Sequence, residues 1–299
     1  MATRTTNRFP FLAILLMSLF IAAIGVGCGG GGGGTPAPPP NPNQDAQGLY
    51  TTDGNDSSAV FKDANPLNPD ITKPLTDIKG MVYGELPNQD FIFFDIDANV
   101  LYQGTITSIT LTDFVGTATV YNDGVMVENN VAVTGTVTSS STIDMTLAAS
   151  GDFVSGSIKG LFSTAYNNVA TNLRVAADVV NPWKTSTTGG VKMVIAGVNT
   201  SNFRVAFANT VGSYTYGSNR ANPTLVQCQH EGKLTSGAPK NIYPLADEQI
   251  TATTNCTITN SPVYTGFASV VAVDGAGIGT EMWYATTNGT NSIFMILAK

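Results

Sequence analysis

Between Thr142 and Leu147 the chain alternates strictly, with Ile143, Met145 and Leu147 on one side and Thr142, Asp144 and Thr146 on the other. A repeat of two belongs to a pleated strand with one buried face, because a helix turns its side chains every 3.6 residues. Val100-Leu101-Tyr102 and residues 114–121 and 131–138 are rich in the β-branched and aromatic residues that favour a sheet. Residues 91–96 are apolar on both faces, which suits a strand covered on both sides. Asn122-Asp123-Gly124 separates two such runs and predicts a hairpin turn, since these residues tolerate positive φ.

Composition agrees with this pattern. Hydrophobic residues make up 42% of the 299, enough for a packed core, while charged residues are only 12%. Long amphipathic helices need the Glu, Lys and Arg that are scarce here. The one good helical stretch is 168–180, where Leu173, Ala176, Ala177 and Val180 fall on one face and Asn181-Pro182 ends the run. Beyond it the strand pattern resumes at 191–198, Asn202–Ala208, 224–230, 249–254, Tyr264–Val273, 281–286 and 292–297, with Asn288-Gly289 turning the last hairpin. The expected fold is all-β: two small antiparallel β-barrel or sandwich lobes, 48–167 and 183–299, joined by a short helix at 168–182.

Before the first lobe lies a segment that is not fold. Arg4 and Arg8 form a positive start, an apolar run of about 16 residues follows, and Ile24-Gly25-Val26-Gly27 leads to Cys28. Small residues immediately before a cysteine resemble the lipobox of bacterial lipoproteins. That resemblance implies that residues 1–27 are a signal peptide and that Cys28 carries a diacylglycerol and an amino-terminal fatty acid such as palmitate. Gly25 stands where that motif usually has Leu. The alternative is an uncleaved membrane anchor, for which the run is shorter than the roughly 20 residues a spanning helix needs. Gly29 follows the cysteine; in related Gram-negative lipoproteins Asp there signals inner-membrane retention, so the expected address is the outer membrane of the cell envelope.

Residues 28–47 read as the lipidated cysteine and a flexible tether, a glycine run followed by a proline-rich stretch that cannot build a core. Losing two arginines and no acid with the signal takes the formal charge from −7 to −9. Such a balance excludes nucleic acid as a partner, because phosphates need a basic patch.

With Cys28 assigned to lipid, Cys228 and Cys256 remain as an even pair in an exported chain, which predicts a disulfide worth about 3.5 kcal/mol in the chain-entropy model. Two free thiols in separate cores are the alternative.

The order of features resembles a group of two-lobed proteobacterial lipoproteins of unknown activity, whose lobes are distantly similar to the β-barrel lobes of transferrin-binding protein B. The likeness is carried by Gly48-x-Tyr50, an aromatic strand end from Phe162 to Tyr166, the short connecting helix, Cys228-x-x-x-Gly232, Asn241-x-Tyr243, Cys256 and Tyr264-Thr265-Gly266-Phe267. It is one of order and spacing, and it implies a fold and an address without transferring any binding residue. Against that pattern residues 54–79, with Pro66, Pro69 and Pro74, look like an insertion.

Few residues point to chemistry. Asp95-x-Asp97-x-Asn99 spaces oxygen ligands as a calcium loop does, but Val100 and Ile106 stand where an EF-hand needs Gly and Glu, so a polar turn is expected. His230 is the only histidine and cannot supply a zinc set, so no metal is expected. Ser157 and Lys159 share a strand face but would need burial to form a catalytic dyad. Tyr214, Tyr216, Tyr264, Trp283 and Tyr284 are candidates for a pocket or sugar-binding face, with service as core residues the competing reading. No nucleophile elbow or phosphate-cradling loop is present.

These readings predict a non-enzymatic lipoprotein with a β-rich binding or structural role, no cofactor, and a protein or glycan partner at the cell surface. The alternative is a lipocalin-like carrier of a small apolar ligand, which requires an open barrel interior. A carboxylate hydrolase and a membrane-spanning barrel are weaker readings.

Overall fold

A computed structural model of the chain describes residues 44–54, 56–86, 88–167, 183–185, 192–197, 202–208, 228–235, 241–252, 263–273 and 279–298. The signal segment, Cys28, the glycine run and the expected connecting helix lie outside the described residues. Within them the chain is all-β, and the helical turn found there is a 3-10 turn at Thr164–Asn167.

The first lobe is built from β1 (Gly48–Thr52), β2 (Ser58–Phe61), β3 (Ile71–Pro74), β4 (Ile78–Tyr83), β5 (Gln89–Asp95), β6 (Val100–Thr110), β7 (Asp113–Asn122), β8 (Val125–Thr138), β9 (Thr142–Leu147) and β10 (Phe153–Phe162). From β4 to β10 each strand pairs antiparallel with the next. β1 pairs with β4 on one side and with β10 on the other, through Tyr50↔Phe162, Thr51↔Leu161 and Thr52↔Gly160. The ladder therefore closes into a ring of eight strands, which satisfies every edge that an open sheet would leave bare.

β2 takes the part of β10 that β1 leaves free, from Phe153 to Ser157, and β3 pairs outside it. Residues 54–79 are thus woven into the sheet, with Ala59, Phe61, Leu75 and Ile78 in its core. The segment that looks like an insertion in the sequence thus adds a hairpin to the sheet, and Pro74 sits at the end of β3 on its edge, where a missing amide costs no ladder bond.

Alternation places one face of every strand inside the ring. Tyr50, Phe61, Phe91, Phe93, Tyr102, Phe114 and Phe153 fill it with rings, and Val, Ile, Leu and Met side chains from β7 to β10 occupy the rest. Glycines on neighbouring strands make room for these rings. Gly80 lies opposite Phe93 and Gly135 opposite Phe114, and a methyl group on either glycine would run into the facing ring.

Gln44 to Gln47, which composition assigns to the tether, are fixed across one end of this ring. The Gln44 amide donates to Leu111 O (2.8 Å), the Asp45 amide to Ser139 Oγ (2.6 Å), and the Ala46 amide to Gln89 Oε1 (3.2 Å). Ala46 is fully buried, and the Tyr50 hydroxyl donates to its carbonyl at 2.7 Å. Gln44 to Gln47 therefore belong to the folded part, because their backbone groups find partners on two turns, at Leu111 and Ser139, and on strand β5 at Gln89.

The second lobe is a closed eight-stranded barrel: β11 (Trp183–Thr185), β12 (Lys192–Gly197), β13 (Asn202–Ala208), β14 (Cys228–Thr235), β15 (Tyr243–Ala252), β16 (Tyr264–Val273), β17 (Gly279–Thr287) and β18 (Ser292–Ala298). Neighbours follow chain order, and β18 returns to β11 through Lys184↔Ala298 and Thr185↔Leu297. Of the strand expected at 224–230, residues 228–230 are described and the strand runs on through Gly232 to Thr235; the strand expected at 249–254 is described to Ala252 and starts earlier, at Tyr243. Cys228 faces Ala252 in register, while Cys256 lies outside the described residues.

Candidate functional site

Strand β5 belongs to two cores at once. Phe91 and Phe93 point into the first ring, whereas Ile92 and Phe94 point out of it and join Leu49, Met81, Leu101 and Tyr121 in a second apolar cluster. The other half of that cluster comes from the outer face of the second barrel: Ile242, Phe267, Trp283, Ala285 and Phe294. Phe94 meets Phe294 with ring centroids 5.4 Å apart, and Tyr83 meets Phe267 at 5.9 Å. This explains the run apolar on both faces. One side fills a barrel and the other cements two barrels together.

Backbone hydrogen bonds add a clasp at one end of that contact. The turn between β7 and β8 is of the tight mirror-image kind, with Asp123 at φ 52° and Gly124 at φ 79°. The Met126 amide donates to Thr290 O (2.7 Å), the Ser292 amide donates to Gly124 O (2.9 Å), and Val125 and Asn291 form an isolated antiparallel bridge. The two hairpins whose turns the sequence marks by Asp-Gly and Asn-Gly thus hold each other. Elsewhere buried Asn241 ties the strand start of β15 to the end of the first lobe, its Nδ2 donating to Ala165 O at 3.0 Å and also to Val270 O.

Beside this joint opens a cleft of about 410 Å³. The first barrel contributes Asp90 from β5, Gln103 and Thr105 from β6, Thr117 and Thr119 from β7, and Asn130 from β8. The second contributes Pro244, Leu245, Thr265 and Phe267. Polar residues at alternate positions follow from the pleat, because Phe91 and Ala118 between them face the first core. Thr105 Oγ1 donates to Asp90 Oδ1 at 2.7 Å and fixes the carboxylate. The Thr287 hydroxyl bonds Gln103 Oε1, which leaves the Gln103 amide nitrogen as the group it can offer. None of the described lining residues is basic. The volume falls in the range of about 300–1,000 Å³ usual for small-molecule sites.

The aromatic residues singled out in the sequence do not form one face. Tyr214 and Tyr216 lie outside the described residues. Trp283 points between the barrels, with Lys79 Nζ 5.5 Å from its ring and its Nε1 donating to Glu281 Oε1 at 3.1 Å. Tyr284, next along the same strand, faces the other way, and both it and Tyr264 are buried. The cleft residues were not foreseen, since threonines on exposed strand faces carry no signal of which other lobe will stand beside them.

The Asp95–Asn99 turn holds no metal-type cluster. Asp95 is buried, and its two carboxylate oxygens accept from the backbone amides of Asp77 and Ala98, each at 2.8 Å. The ammonium of Lys73 reaches the same turn from β3, donating to Asn122 Oδ1 (2.6 Å) and Ala98 O (3.1 Å), with Asp123 Oδ1 at 3.5 Å. Both oxygens of Asp95 are thus engaged by backbone amides, and the nearby ammonium of Lys73 ties this turn to the one between β7 and β8. No group of three metal-ligating side chains occurs among the described residues.

The Ser157–Lys159 pair is no dyad. Lys159 Nζ bonds Asp56 Oδ2 at 2.8 Å, which lowers the Asp56 pKa and raises that of Lys159, while Ser157 Oγ donates to Asp56 O at 3.2 Å. Buried tyrosines offer no acid or base near neutrality either: burial pushes Tyr50, Tyr102 and Tyr166 upward, and Tyr243 up to about 12. His230 lies in β14 opposite Phe207 and Ile250 in register. Comparison with protein-family models, with curated proteins and with solved structures finds no match for this chain.

Proposed function

We propose that this protein is a lipid-anchored component of a bacterial cell envelope that binds a ligand without transforming it, at the outer membrane, with a protein or glycan at the cell surface as its partner. The observation that carries the binding role is the cleft of about 410 Å³ between two barrels that a shared apolar cluster locks together. A fixed joint keeps the two walls in register, so a ligand need not pay for ordering them. The anchoring rests on the export segment that ends in Cys28.

Two competing readings lose support in the first lobe. A carrier of apolar ligands needs a hollow barrel, and the interior of the first ring is filled by its own aromatic and aliphatic side chains. A bilayer-spanning barrel needs an apolar outer band. The outer face of β7 to β9 instead carries exposed Thr117, Thr134, Thr136, Asp144 and Thr146.

Metabolic labelling with an alkyne palmitate tests the anchor. The wild-type chain takes up label and partitions with membranes, and Cys28→Ser does neither. Equal labelling of Cys28→Ser would overturn the assignment. Protease treatment of intact cells tests display: digestion of the folded part supports a surface partner, and full protection counts against one.

A further inference from the structure

The chemistry of the cleft points to its ligand, and we infer that the site between the barrels takes a neutral polyhydroxylated molecule, a saccharide, held by Asp90, Gln103, Thr117, Thr119 and Asn130 with its C–H face toward Pro244. The inference rests on the binding role argued above and adds the ligand class.

Charge excludes the simplest alternatives. An anionic ligand would bring negative charge to a wall that holds a carboxylate and no described basic residue. Among the described lining residues a metal ion would find one carboxylate, Asp90, and the described residues hold no ligating cluster. A long apolar ligand would strip water from Thr105, Thr117, Thr119, Asn130 and Thr265 without replacing the hydrogen bonds that water makes to them.

Sugar hydroxyls meet this wall on equal terms, because each donates and accepts. Asp90, oriented by Thr105, is an acceptor. The amide nitrogen of Gln103 is a donor once its oxygen is held by Thr287. The threonine hydroxyls and the Asn130 carboxamide serve either way. Across from them stands Pro244, partly exposed, with Leu245 and Phe267 buried and reaching the cleft over a small area only; Phe267 is braced by Tyr83 at 5.9 Å. Two walls of opposite character suit a ring with polar edges and apolar faces. Glycoside hydrolysis in its usual form needs a pair of carboxylates flanking the bond, and among the described lining residues Asp90 is the one carboxylate.

The full chain, purified in a detergent without a sugar headgroup, is titrated with neutral trisaccharides (maltotriose, cellotriose, chitotriose), with trigalacturonate and with laurate. The variants are Thr117→Arg, which fills the cleft from an exposed strand position, Asn130→Lys at its rim, and Thr146→Arg on the exposed face of β9 outside it. The expected result is that at least one neutral trisaccharide binds with Kd at or below about 1 mM, weakened roughly tenfold or more by Thr117→Arg and by Asn130→Lys, unchanged by Thr146→Arg, and recovered intact. The inference is overturned if no neutral trisaccharide binds, or if binding survives both cleft variants. If only trigalacturonate or laurate binds and Thr117→Arg abolishes it, the saccharide assignment fails while the cleft stands as a binding site.

Discussion

The Met126 amide of the first barrel donates to the Thr290 carbonyl of the second at 2.7 Å, and with the Val125–Asn291 bridge beside it one hairpin of each lobe becomes an extension of the other. Around that bond, Phe94 and Phe294 meet as tilted rings, 41° between their planes, in a cluster that belongs to neither barrel alone. The two lobes therefore share stability. Unfolding of one exposes apolar surface of the other, and denaturation should be a single transition seen alike by fluorescence and far-UV dichroism.

Phe94→Ala should destabilise the chain by about 3–5 kcal/mol, the range for removing a buried phenylalanine. Combined with Phe294→Ala, the double-mutant cycle should return a coupling of about 0.5–1.5 kcal/mol, as for an aromatic pair in contact. Urea titration of the four proteins measures both. Additive losses would mean that the two rings do not touch.

Gly80→Ala should cost about 1–3 kcal/mol, because its methyl group meets the Phe93 ring inside a filled barrel. Phe93→Leu on the same background should recover part of the loss by giving that methyl group space. Thermal melts of the single and double variants check this. An isolated Gly80→Ala without effect would contradict the packing of ring against glycine.

Lys73→Met should lower stability by about 1.5–3 kcal/mol, since one ammonium serves the β5–β6 and β7–β8 turns through hydrogen bonds to a charged group. Added calcium should leave the melting temperature of the wild-type chain where it was, because both oxygens of Asp95 are already held by the backbone amides of Asp77 and Ala98. A calcium-dependent rise in the wild type would restore the metal reading of Asp95-x-Asp97-x-Asn99.

Asp56 titrates below its ordinary 3.8 because Lys159 donates a hydrogen bond to its carboxylate and adds a favourable charge. A depressed carboxylate pKa stabilises the fold above pH 3.8, and that contribution is lost as pH falls through the lower folded value. For Lys159 the sign reverses: its raised pKa contributes below 10.5 and fades as pH climbs through the folded value. NMR titration of Lys159→Met should show Asp56 moving back up toward 3.8, and an unmoved Asp56 would contradict the pairing.

Much of the fold was legible from local pattern. The period of two at Thr142–Leu147 marks β9, and the run apolar on both faces at 91–96 marks the strand shared between two cores. Asp123 and Gly124 take the positive φ their turn requires. What stayed hidden is long-range. Lys73 sits 49 positions from the Asn122 side chain it binds, and Gln103 stands 184 positions from Thr287. Nothing in a strand of threonines says which barrel will face it. Trp283 and Tyr284, neighbours on one strand, point to opposite faces, and both are buried, as the competing reading of core residues has it.

Everything functional in this account depends on the two barrels being held as one body with a cleft between them. Val125→Cys/Asn291→Cys tests that contact directly, because paired positions in antiparallel strands lie within disulfide reach. Under mild oxidation, peptide mapping by mass spectrometry should find the 125–291 crosslink nearly quantitatively, with the fold retained and urea resistance increased. Two thiols that both label readily with maleimide and never crosslink would show that the barrels do not meet there, and the cleft would go with them.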